Sequence, residues 1–342
     1  MTGTSSLVIQ TSFLGDTVLT TPLIAELARR GPVDVVTTPA SAAILSNNPG
    51  IRAIVPYDKR DRDRGPLGFL RTAKRLRGFG YEAAYLAQGS LRSAALALFA
   101  GVTRRVGFAT HAGRMLYSEK VEFRDDMHHA ARLLSLARGT DAPPTPQEMR
   151  PRLYPGIPER GQVDRLLALH DLLDDGPPLV ALAPGSVWAT KQWPYYSDLA
   201  RELAPHARLV VIGSVQDAAL AESVVAAAPG GAFSAAGVLT LLGSAELIRR
   251  CSALVTNDSA PQHLASAVGT PTITIFGPTV PEFGFGPLAD RSGVAGVDPA
   301  TLPCRPCDRH GPRSCPLRHW RCMRDLPVRD VAARVVDILT VS

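Results

Sequence analysis

Short apolar runs bounded by turn residues alternate with amphipathic stretches along most of the chain, and the pattern predicts strands and helices in strict succession. The first run, Ser6–Thr11, reads as a strand, SFLGD after it as a turn, and Thr21–Arg30 as a helix with Pro22 in its first turn. Asp34–Thr38, Ile51–Pro56, Tyr81–Leu86 and Arg104–Phe108 read as further strands. The helices expected between them are Ala40–Asn47, Leu67–Arg77 and Ser93–Ala100. The Pro-rich stretch Ala142–Pro158 interrupts the rhythm as a linker, and a helix Glu159–Leu173 follows. The alternation then restarts, with strands Leu179–Ala183 and Leu209–Gly213 and helices Tyr196–His206, Ala218–Ala227 and Ala245–Cys251. Two successive α/β units joined by a linker predict a cleft, the favoured place for a ligand.

Val255–Pro278 is the most informative segment. An apolar strand, Ala253–Thr256, runs into the polar turn Asn257-Asp258-Ser259, then a helix carrying His263, and then a second buried strand, Thr272–Phe276. Gly269 and Pro271 end the helix. The free amides and positive dipole of the helix N-terminus, beside the small residues Ser259 and Ala260, suit a pyrophosphate. The plainer alternative is an ordinary connection in which Asp258 or Ser259 caps the helix.

Composition is ordinary for a soluble globular protein. The chain has 342 residues, 45% of them hydrophobic and 20% charged, enough for about two domains. No basic, apolar leader precedes Ser6, and the longest uncharged apolar patch, near Ser93–Val102, is too short to span a bilayer, so a cytoplasmic protein is expected. The formal charge of +6 is clustered. One block runs from Lys59 to Arg77; the other joins Arg305, Arg309, His310, Arg313, Arg318, His319, Arg321 and Arg324. Such patches suit an anionic membrane surface or a phosphorylated substrate, or are solvated helix faces. Aromatics are not interleaved with them as base-stacking platforms, so nucleic acid is not the expected partner.

Four places could carry chemistry. Asp16, after Gly15 on the turn that follows the first strand, offers a carboxylate able to take a proton from a hydroxyl, or a helix cap. The loop APGSVWATKQWP (Ala183–Pro194) offers Gly185 and Ser186 for close backbone approach and Lys191 as a point charge for phosphate, flanked by Trp188 and Trp193. The turn with Asp258, Ser259, Ala260 and His263 is the third. Cys304, Cys307, Cys315 and Cys322, spaced C-x2-C-x7-C-x6-C, leave structural zinc, free thiols and a cluster site open. Asp61-Arg62-Asp63 matches a bare cation-binding Asp-x-Asp, but inside a Lys/Arg run its carboxylates read as salt-bridged.

Together SFLGDTVLTTP (Ser12–Pro22), APGSVWATKQWP, TNDSAPQHLASAVGTPTITIFGPT (Thr256–Thr279) and CRPCDRHGPRSCPLRHWRCM (Cys304–Met323) resemble glycosyltransferase family 9, the ADP-heptose:lipopolysaccharide heptosyltransferases, most closely the heptosyltransferase II branch. The resemblance implies an α/β GT-B fold of two Rossmann-like, doubly wound domains facing a central cleft. It also implies inverting transfer of heptose from ADP-heptose to the anionic inner core of lipopolysaccharide, with no catalytic metal. On that basis residues 1–158 form the acceptor domain, 159–327 the nucleotide-sugar domain, and 328–342 a helix packing across both. Asp16 matches the family's base, Lys191 the lysine at the donor phosphates, and Asp258, Ser259, Ala260 and His263 the nucleotide turn. The implied place of work is the cytoplasm or the inner membrane surface. Ala260 stands where the family has glycine, Asp308–Ser314 is an insertion between cysteines, and no ribose carboxylate is matched near Leu241–Glu246. The other readings are a GT-B enzyme of different donor or chemistry, such as an epimerase, and a zinc-bearing nucleic-acid module.

Overall fold

The structure is a computed structural model describing residues 4–172 and 176–340. Two compact units meet in sequence at Tyr154/Pro155, inside the Pro-rich stretch. The helix that follows, Ile157–Ala168, takes Pro158 in its first turn, where its missing N–H costs nothing. The last residue of the helix expected over Glu159–Leu173 lies outside the described residues.

The first unit holds β1 (Ser6–Gln10), β2 (Val33–Thr37), β3 (Ala53–Pro56), β4 (Ala83–Leu86), β5 (Arg104–Phe108) and β6 (Glu119–Val121) in one parallel sheet ordered β3-β2-β1-β4-β5-β6. In the second, β7 (Leu179–Ala183), β8 (Arg208–Val211), β9 (Ala232–Ser234), β10 (Ala253–Asn257), β11 (Thr272–Ile275) and β12 (Gly293–Ala295) form the parallel order β12-β11-β10-β7-β8-β9. Each is the doubly wound Rossmann order, the first strand of a unit pairing with its second and fourth. The order in which strands are laid down reverses at β1/β4 and at β7/β10, and loops leaving the carboxyl ends there diverge to leave room for a ligand.

The central strands are buried along their length, as parallel strands covered on both faces must be, which is why they read as apolar runs. Asp34 is the exception inside β2. Arg52 grips it through two hydrogen bonds of 2.9 and 2.7 Å, and Tyr81 Oη donates at 2.6 Å, so the buried charge is fully partnered. The C-terminal helix, Val328–Thr340, was expected to lie across the domains. It turns Val331, Ala332, Val335 and Ile338 into the second unit's core, against β10, β11 and β12. Val331, Val335 and Ile338, at about 1.5–3 kcal/mol each, make it part of that fold. Helix His129–Arg138 and the short strands β6, β9 and β12 were not expected. Among the described residues no helix is long and apolar enough to cross a membrane.

Candidate functional site

In the second unit the loops after β7 and β10 are stitched together by Asn257, the last residue of β10. Its Nδ2 donates to Pro184 O at 2.9 Å and its Oδ1 accepts from Trp193 N at 3.2 Å, pinning both ends of the loop that carries Lys191. Trp193 is core, while Trp188 is half-buried. Ser186 Oγ accepts from Trp188 N at 3.3 Å, and Ser186 O from Gln192 Nε2 at 3.1 Å, so this serine braces the same loop.

Lys191, on a short turn Ala189–Lys191, reaches Asp258 with Nζ 2.5 Å from Oδ2, each side chain about one-tenth exposed. Thr279 Oγ1 donates to the same oxygen at 2.7 Å, and Gln262 Nε2 to Oδ1 at 3.1 Å. An ammonium with three donors, held at the mouth of two diverging loops, can turn toward an arriving polyanion while Thr279 and Gln262 keep the carboxylate in place. Ser259 is the N-cap residue of helix Ala260–Val268, yet its side chain makes no cap hydrogen bond to the first turn. The cradle is therefore not closed by its own cap. His263 is buried one turn further on, its ring 6.3 Å from that of Phe285.

Gly185 serves the site in an unexpected way. A Cβ there would lie 2.4 Å from Asp217 Oδ1, so the glycine makes room for a carboxylate of this chain. Asp217 follows β8, and Ser214 N and Oγ donate to its Oδ2 at 2.8 and 2.7 Å. A carboxylate beyond the second strand of a Rossmann unit is where a nucleotide ribose is held. The nearby Glu246, by contrast, is buried and clamped by Arg249 at 2.6 and 2.7 Å and by Arg250 at 2.9 Å, a structural role.

Arg305 is not a surface charge of the second basic block. It is buried, and it donates to the carbonyls of Gly277 at 2.6 Å, Phe276 at 2.8 Å, Thr279 at 3.3 Å and Val297, holding the strand end that presents Thr279. Burial lowers its pKa. Arg305→Met would leave these carbonyls buried and unpaired, and at about 1–3 kcal/mol for each such group the expected loss exceeds about 3 kcal/mol, read as a lower urea midpoint.

The cysteine segment sets its thiols in different surroundings. Among the described residues no three His, Cys, Asp or Glu side chains gather into a metal-holding group. Cys322 turns into the apolar core, where burial pushes its thiol up to about 11. Cys304 Sγ lies 3.7 Å from His319 Nε2, and Cys307 is exposed. Cys315 is half-buried, and all of these thiols are free. The insertion Asp308–Ser314 instead packs on the lysine turn. Thr190 Oγ1 donates to Pro312 O at 2.5 Å, and a Cβ on Gly311 would lie 3.1 Å from Lys191 Cε. Asp63 of the Asp-x-Asp pair is buried and accepts from Asp58 N at 3.0 Å, which explains it as a loop brace.

In the first unit Asp16 lies in the first turn of a short helix, Leu14–Leu19, capped by Phe13, so Asp16 is not the cap. Ser12 Oγ stands 2.6 Å from Asp16 Oδ2 and 2.7 Å from Gln10 Oε1, one hydroxyl proton between two acceptors. His129, which opens the unexpected helix, places Nε2 4.0 Å from Asp16 Oδ1. Burial lowers its pKa, outweighing the pull of Asp16. His111 packs over Gly89, where a Cβ would lie 2.2 Å from its ring, and burial with the nearby His129 lowers its pKa to about 4. Lys59 Nζ donates to Thr11 O at 2.9 Å, bringing one cation of the first basic block to the end of β1. Gly15 sits in the same turn as Asp16.

The geometry has close counterparts. The chain is 28% identical over 310 residues to lipopolysaccharide heptosyltransferase 2 of Escherichia coli, covering 84% of this chain and 86% of that one. The solved structure of the E. coli ADP-heptose lipopolysaccharide heptosyltransferase II superposes with a TM-score of 0.78 at 23% identity, covering 98% of each chain. A family 9 glycosyltransferase from Veillonella parvula gives 0.85 at 20% identity, over 100% of this chain and 99% of that one. The model of glycosyltransferase family 9 (heptosyltransferase) matches residues 69–312, which include Lys191 and Asp258. Two Rossmann-like units in this order, with a lysine and a helix N-terminus at the second switch point, agree with that match: the chain belongs to glycosyltransferase family 9, the heptosyltransferases.

Proposed function

We propose that this glycosyltransferase moves heptose from ADP-heptose to the inner core of lipopolysaccharide, with inversion and without a catalytic metal. The observation that carries the reading is the Lys191–Asp258 pair set against the uncapped N-terminus of helix Ala260–Val268. A departing diphosphate needs compensating charge, and an ammonium beside the amides of a helix N-terminus supplies it without a metal cation. Asp217 receives the ribose hydroxyls. In the first unit Asp16 takes the proton of the acceptor hydroxyl, whose oxygen attacks the anomeric carbon as the bond to the diphosphate oxygen breaks. One displacement inverts that carbon and releases ADP. The acceptor is an anionic glycolipid, so the reaction takes place at the cytoplasmic face of the inner membrane.

Calorimetric titration of ADP, UDP, GDP and NAD tests the donor assignment. ADP-selective binding supports it. Preference for UDP or GDP replaces the donor, and binding of NAD alone removes the nucleotide-sugar reading.

A further inference from the structure

Helix Gly65–Arg77 has two faces of different character. Gly68, Thr72, Ala73 and Leu76 are buried in the first unit. Leu67, Leu70, Lys74 and Arg77 recur at three- and four-residue spacing along the outer stripe. Leu67 is 82% exposed and Leu70 48%. Phe69 meets Phe99 edge-on at 5.6 Å, and Arg77 Nη2 donates to Phe99 O at 2.9 Å, so the end of helix Leu91–Phe99 lies beside this stripe. Phe99, 50% exposed, extends the apolar surface.

The charge on this face has one sign. No Asp or Glu occurs from Arg64 to Tyr81, and among the described residues Arg71, Lys74, Arg75 and Arg77 form no ion pair with a carboxylate. A solvated basic helix would place polar side chains, not leucines, at its most exposed positions. A free phosphate would explain the cations but leave Leu67, Leu70 and Phe99 in water. A bilayer accounts for both, since apolar side chains enter the headgroup boundary while flanking Lys and Arg meet lipid phosphates.

We propose that the outer face of helix Gly65–Arg77, with Phe99, docks the first unit on an anionic lipid bilayer. The inference rests on this face alone and is independent of the donor chemistry. Its test is flotation of the full chain with phosphatidylethanolamine/phosphatidylglycerol vesicles and with phosphatidylcholine vesicles. The wild type is expected to float with the anionic vesicles and to be released by salt. Lys74→Gln/Arg75→Gln is expected to weaken binding by about fivefold per charge removed. Leu67→Ser/Leu70→Ser is expected to abolish the fraction that survives high salt. ADP titration of each variant reports folding and the donor site separately, because these four side chains are exposed and the nucleotide residues lie in the other unit. Wild type that stays unbound with anionic vesicles overturns the proposal, as does equal flotation of either double variant. A wild type that floats with anionic vesicles yet does not bind ADP would instead count against the donor assignment alone.

Discussion

Asp16→Asn is expected to lower kcat by about 10²–10⁴-fold while leaving ADP affinity unchanged. The substitution keeps the size of the side chain and an oxygen for the Ser12 hydroxyl, which stands 2.6 Å from Oδ2, so the helix Leu14–Leu19 has no reason to move. What disappears is the capacity to accept the acceptor proton. Single-turnover transfer assays with saturating acceptor check the result. An Asp16→Asn enzyme with wild-type turnover would remove Asp16 from this role and direct attention to another base.

Lys191→Ala is expected to weaken ADP binding by at least about a hundredfold, because truncating one partner of a desolvated charge pair leaves the other charge unpaired. Here the orphan is Asp258, held in place by Thr279 at 2.7 Å and Gln262 at 3.1 Å. A fixed carboxylate at the mouth of the phosphate cradle repels the diphosphate, so the loss exceeds that of one contact. The double variant Lys191→Ala/Asp258→Asn is therefore expected to bind ADP more tightly than Lys191→Ala alone. Calorimetry on the three proteins measures this. Equal affinities for the single and double variants would show that Asp258 exerts no such repulsion.

Much of this architecture is legible from the residues. The strand cores Leu7–Ile9, Val180–Leu182 and Leu254–Val255 read as apolar runs because helices cover both faces of each sheet. The loops that follow them are where parallel sheets bind ligands, so Asp16, Lys191 and Asp258 could be singled out from position alone. The edge strands β6, β9 and β12 have three residues each and carry no period long enough to detect. Asn257 and Arg305 owe their importance to backbone carbonyls brought to them by folding, and no sequence pattern marks that. His129 meets Asp16 across more than a hundred residues, which only the sheet order brings together. Asp217 follows the second strand of the second unit on a turn that carries no motif of its own, and the stretch Leu241–Glu246 offers no match because the carboxylate of Glu246 is fully occupied by two arginines.

The most direct measurement is mass spectrometry of inner-core glycolipids bearing no heptose or one heptose, each incubated with ADP-heptose and the enzyme. Gain of one heptose by one of them, matched by release of one ADP and absent with Asp16→Asn, is the predicted result. Both glycolipids unmodified with ADP-heptose intact, or ADP-heptose converted to another nucleotide sugar without acceptor, would contradict heptose transfer.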